Sequence, residues 1–258
     1  MISPIRVTTL ATNTMREAIR SRVLYTLLFF AVVLIGTGVL LSTLSYVEST
    51  RILQSVGLAA IRLFGAAIAI FIGIGLIHRE VERRTIYTIL SKPISRAEFL
   101  LGKYLGLVAT IWLQVAIMGA AFAVVSLLTG APLTHQLAMA LVLAAAELAL
   151  VVAFATLFSC FTTPMLAALF TTGLYAVGHL ARDLRDLGTK SDLESVRLFS
   201  SALYRVLPDL ESFNVTTQAL HSLPLPGSEV VFALLYGAGY SALLLMLAVV
   251  VFERRDFK

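Results

Sequence analysis

Residues 23–47 form a run of 25 side chains without one charge, and a run of that length has few places to go. A helix rises about 1.5 Å per residue, so about 20 apolar residues reach across the roughly 30 Å hydrocarbon core of a bilayer. Five further runs have this character: 57–77, apolar apart from Arg62; a stretch within 104–134; 137–159, interrupted by Glu147 alone; about 162–180; and 230–252, bracketed by Glu229 and Glu253. Inside lipid every backbone N–H and C=O needs a partner within the protein, which a helix supplies from its own segment. The chain therefore reads as an all-α integral membrane protein of six spans. Its 258 residues are 59% hydrophobic and 14% charged, against about 25% charged in soluble domains, and this leaves little for a soluble domain. We read it as one transmembrane domain, 1–258.

The cut between the fourth and fifth spans is placed at 160–164, because Pro164 has no N–H to give and disfavours a helical residue before it. Orientation follows from the basic residues, which resist translocation when they flank spans. Arg6, Arg16, Arg20 and Arg22 precede the first span; Arg79, Arg83, Arg84, Lys92, Arg96 and Lys103 lie between the second and third; Arg254, Arg255 and Lys258 form the tail. All of them fall on one side of a six-span chain, so both termini are expected in the cytoplasm. Residues 181–228 face the other way and mix Asp183, Asp186, Asp192, Glu194, Asp209 and Glu211 with basic residues. Within them Ser191 and Glu194 have capping-box spacing, and Val196, Phe199, Leu203 and Val206 mark one face of an amphipathic helix. Ser228 is expected to cap the last span.

Residues 1–22 show apolar Val7, Leu10, Ala11, Thr14, Met15, Ala18 and Ile19 at helical spacing, with Arg6, Asn13, Arg16 and Arg20 opposite. Such a helix lies in a membrane interface as an elbow before the first span. Ser3 before Pro4 suits its start. The loop 78–104 carries more information. Residues 80–90 are helix formers, Pro93 ends that helix, and Ser95 with Glu98 restarts one that runs into the third span. A helix, a rigid turn and a helix continuous with a span form a lever able to carry a push into the bilayer. The plain alternative is a basic loop that fixes topology and meets anionic lipid.

The string EVE at 80–82, RTIYTILSKPISR at 84–96 and FLLGK at 99–103 resembles the signature of ABC-2-type transporter permeases. More narrowly, it is similar to the branch of multi-copper-enzyme-maturation and gliding-motility permeases. The resemblance extends to the elbow helix, six spans, the loop between spans two and three, an elaborated outer segment and the basic tail FERRDF at 252–257. It implies that Glu80, Glu82, Arg83, Arg84 and Tyr87, with the turn at Pro93, dock on a separate ATPase subunit. It implies ATP and Mg on that subunit and no cofactor on this chain. It also implies a second permease copy, a substrate path between the copies, contact with membrane lipid, and residence in a bacterial or archaeal cytoplasmic membrane. An extracytoplasmic protein partner fits the outer segment, and no nucleic acid partner is expected.

Arg62 and Glu147 are ionisable groups inside spans, where charge is expensive. They read either as an ion pair that fixes packing, with Arg62 otherwise snorkelling outward, or as polar groups lining the transport path. Gly65 and Gly73, and Ala138, Ala145, Ala149 and Ala153, mark surfaces for close helix packing. His135, His179 and His221 all fall on the outer side, but at unrelated spacing and without a Cys or Met cluster they make no metal motif. The single cysteine, Cys160, excludes an internal disulfide. Asn214, Val215 and Thr216 spell a glycosylation sequon too short to carry weight. No phosphate-binding glycine loop, zinc-helix motif or serine elbow occurs, so an enzyme is not indicated. The expectation is a permease subunit of an ATP-driven ABC-2-type transporter that exports or extracts a substrate. The alternatives are an autonomous carrier or channel and, behind it, a membrane-embedded enzyme.

Overall fold

Where each helix stops is decided by a few polar residues and by proline. The computed structural model describes residues 3–44, 48–82, 95–190 and 193–254. They form α1 (Pro4–Ile19), α2 (Arg22–Ser42), α3 (Ser49–Glu82), α4 (Arg96–Leu128), α5 (His135–Ser159), α6 (Pro164–Thr189), α7 (Glu194–Val206), a 3-10 turn (Leu210–Phe213), α8 (Thr216–Leu220) and α9 (Gly227–Arg254). There is no strand among the described residues. Six of these helices, α2 to α6 and α9, are long and apolar enough to cross a membrane.

The break between α5 and α6 falls at 160–163, where the sequence placed it. Thr163 is extended and Pro164 opens α6, while the Cys160 thiol and Thr162 hydroxyl bond back to the carbonyls of Thr156 and Phe158. At the end of α4, Gly130 takes a φ of 72°, a left-handed conformation that L side chains resist. The Gly130 N–H then reaches Leu127 O, and the Ala131 N–H reaches Ser126 O at 2.8 Å. That is a Schellman closure.

Several boundaries differ from expectation. α3 is one unbroken helix of 34 residues, about 51 Å long, so residues 80–82 belong to the second span's own helix rather than to a separate one. Its early turns are held because Leu53 is buried and Gln54 donates to the Pro132 carbonyl at 3.0 Å. α4, by contrast, starts at Arg96, directly after the expected cap at Ser95. α6 runs to Thr189, past the expected end near 180, and α7 folds back along it, with Ser200 against Gly188. α9 begins at Gly227, so Ser228 lies within its first turn rather than at its cap. α7 begins at Glu194. The proposed box residue Ser191 lies outside the described residues. On α7, Val196 is exposed and Ser200 is buried; the side chains of Phe199, Leu203 and Val206, the rest of the expected apolar face, lie outside the described residues.

The spans pack around α3 and α5. Ile61, Ile68 and Ala69 of α3 and Leu150, Val152 and Ala153 of α5 are fully enclosed. α2 lies on α3 and α9 on α5. Gly65 and Gly73 face Leu148 and Ala155, so small residues do bring these two helices together. Large apolar side chains such as Phe29, Phe71, Leu169 and Phe232 point outward, as they must in a helix bundle solvated by lipid.

Candidate functional site

Of the residues expected to dock on an ATPase, Glu80 and Glu82 sit in the last turn of α3. Arg83, Arg84, Tyr87 and Pro93 lie outside the described residues. What the structure does show is how tightly the chain is held on both sides of them. α3 leads in without a break, and α4 leads out from a clasp.

The clasp is built on Glu98. Ser95 caps α4: its hydroxyl accepts the Glu98 N–H at 3.2 Å, and Glu98 Oε2 accepts the Ser95 N–H at 2.9 Å. This is the capping box that the sequence spelled. Glu98 does more than cap, since its Oε1 accepts the backbone N–H of Ser3 at 2.7 Å and Arg6 stands 3.7 Å from Oε2. Ser3 therefore starts α1 through its backbone; its hydroxyl makes no cap bond, contrary to expectation. Two turns on, Lys103 is buried, lies 3.6 Å from Glu17 of α1 and packs over the Phe99 ring. Gly102 and Gly106 leave room for α1 to lie against the α4 backbone, and a Cβ at Gly106 would overlap the carbonyl of Ala11. Arg96 reaches the other way, donating to the carbonyls of Phe252 at 2.6 Å and Glu253 at 3.0 Å. A cation there completes the C-terminus of α9, where carbonyls lack intrahelical partners. Phe99 stacks on Phe252. α1, the first turns of α4 and the last turn of α9 thus form one block beside residues 83–94.

The second site lies inside the bundle. Glu147 stands at the centre of α5, twelve residues from either end, and its residue is 1% exposed. Arg62 of α3 donates to its Oε2 at 2.6 Å, and His179 of α6 meets its Oε1 at 2.8 Å. The other His179 nitrogen lies 3.2 Å from Glu211 Oε2, in the 3-10 turn. Asn214 donates to Glu211 Oε1 at 2.8 Å. Tyr175 stands edge-on to the His179 ring, 4.7 Å between centroids. An imidazole placed between two carboxylates satisfies both when both its nitrogens carry protons. Two cations and two anions then balance, which is what a low-dielectric interior requires of buried charge.

Next to it a second cluster holds the turn. Arg182 donates to Asp209 at 2.9 Å and to Ser212 at 2.8 Å, and the Asp209 N–H donates to the Tyr236 hydroxyl of α9 at 3.0 Å. Asn214 of the sequon is occupied, because its Oδ1 accepts from the Thr216 hydroxyl at 2.7 Å. A cavity of about 590 Å³ opens between this turn, α6 and the first turn of α9.

Sequence reading singled out Arg62 and Glu147 but not the residues that join them to the turn at 210–213. His179 stood as one of three histidines weighed for a metal, yet no cluster of three His, Cys, Asp or Glu suited to a metal occurs among the described residues. His135 opens α5 and His221 follows α8, apart from His179. A signal for His179 was present: Tyr175, His179 and Arg182 follow at spacings of four and three, one polar stripe on an apolar helix. Glu211 had no such signal, since its place is set by the fold of 207–216. Lys103 and Glu98 were read for topology and capping, and their grip on α1 is tertiary.

A family model described as ABC-2 family transporter protein matches residues 8–257. No curated protein matches the chain.

Proposed function

Because this chain belongs to the ABC-2 family of transporter proteins and is the multi-pass membrane component of an ABC transporter, we propose that it works as a dimer driven by a separate cytoplasmic ATPase. The docking segment is 80–93, with Glu80, Glu82, Arg83, Arg84 and Tyr87 meeting the ATPase and Pro93 stiffening the turn. ATP and Mg are bound and consumed on that subunit. This chain contributes the lever, the path and the outer segment. Both termini are cytoplasmic, residues 1–22 form an interfacial elbow, 181–228 lie outside, and the membrane is a bacterial or archaeal cytoplasmic membrane.

One observation carries the reading. α3 runs without interruption from Ser49 through Arg62 to Glu82, so a load on its last turn is applied to a rod whose half-buried arginine holds Glu147 about 30 Å away. On the far side of the docking segment, α4 cannot swing alone, because the clasp ties its start to α1 and α9. A push on the segment is therefore divided between two firm anchors. Small shifts at such a point become discrete rearrangements, since packed helices are bistable rather than continuously deformable. Arg62 and Glu147 serve as the polar joint where α3 meets α5, and a shift of α3 along α5 breaks or remakes it.

The carrier alternative gains nothing from this joint, since both Glu147 oxygens are engaged by protein groups. The experiment is affinity purification of the tagged chain from its native membrane. We expect a stoichiometric ATPase with the wild type and its loss in Glu80→Ala/Glu82→Ala, with the permease still folded. An active chain that purifies without any such subunit overturns the reading.

A further inference from the structure

The cavity beside the 3-10 turn combines size, charge and apolar surface in one place. At about 590 Å³ it lies within the range of small-molecule sites, roughly 300–1,000 Å³. Its lining is mixed: Leu143, Val215 and Ala233 are buried apolar residues, Leu225 and Phe232 add apolar surface, and Asn214, Gln218 and Ser228 are polar. Its charged groups are Arg182, Glu211 and Glu229.

These three are not equal. The Arg182 guanidinium is already neutralised by Asp209 and bonded to Ser212. Glu211 faces His179 with one oxygen and Asn214 with the other. Glu229, in the first turn of α9, is exposed and has no cationic partner among the described residues. The charge left over in the lining is therefore negative, beside the apolar side chains of Leu143 and Val215. From this lining we propose that the cavity binds an amphiphile with an ammonium head group, the head at Glu229 and the tail on Leu143 and Val215. An ammonium supplies up to three donors to a carboxylate that accepts and never donates. Where the head also carries a phosphate, Arg182 lies at the same rim. The site is independent of ATPase docking, and Glu211 joins it through His179 to Glu147 and Arg62. An occupant is in this way linked to α3.

The ammonium belongs either to a free amine or to an aminophospholipid. The test titrates octylamine, 1-octanol and octanoate into the full chain in a nonionic detergent, read by calorimetry. Octylamine binds about fivefold tighter than octanol, the range expected of one partly exposed ion pair. Glu229→Gln removes that preference, and Glu229→Lys transfers it to octanoate. Position 229 is exposed on a helix turn, so these variants fold, and an unchanged melting temperature verifies it. Displacement of octylamine by dioleoylphosphatidylethanolamine supports the site with a lipid as occupant, and binding without displacement supports it with a free amine. Equal binding of octylamine and octanol to the wild type, or a preference that survives Glu229→Lys, overturns the proposal.

Discussion

Arg62 of α3 and Glu147 of α5 meet at 2.6 Å within the bundle, and His179 holds the second oxygen of the same carboxylate. The pair is thus part of a chain of charge that runs from the middle of α5 to the turn at 210–213. Its three anchors lie on different helices, so none can shift far without changing the others' partners.

The arrangement predicts an asymmetry. Glu147→Leu leaves Arg62 and His179 without their shared acceptor and lowers stability by about 3–5 kcal/mol. Arg62→Leu leaves Glu147 with His179 and has a smaller effect. Unfolding in mixed micelles measures both, and equal losses contradict a carboxylate shared between the two.

Removing the link to the turn has a local signature. His179→Phe keeps the ring volume near Tyr175 but leaves Glu211 and Glu147 unjoined. Hydrogen exchange over 209–216 then rises while the centres of α3 and α5 stay protected, because local opening does not require global unfolding. Unchanged exchange in 209–216 contradicts the latch.

The clasp depends on close backbone approach. Gly106→Ala places a methyl group against the Ala11 carbonyl and Thr14, and overpacking of this kind lowers stability by about 1–3 kcal/mol. The effect falls on α1, so exchange at 4–19 increases most. Loss elsewhere with α1 unaffected contradicts the contact.

How much of this was legible follows from what each feature depends on. The spans were readable because a bilayer dictates both length and apolarity, and the α5–α6 break because proline acts locally. The Ser95–Glu98 box was readable for the same reason, as its partners lie three residues apart. Helix ends were not, since α3 and α6 continue past their apolar runs wherever Gln54 or α7 holds them. Arg62 and Glu147 were conspicuous as charges in apolar runs. That Glu98 accepts from Ser3, or that Glu211 closes on His179, depends on 95 and 32 residues of intervening chain, and no local pattern encodes it.

The central claim is that residues 80–93 receive work from an ATPase on the side away from the 210–213 turn. The most direct measurement places a photo-crosslinking residue at Tyr87, and a control at Thr129 after the far end of α4, in cells carrying the native transporter. The account predicts an adduct with a nucleotide-binding subunit from position 87 and none from 129. Lipid adducts alone at 87, or the same subunit captured from 129, would contradict it.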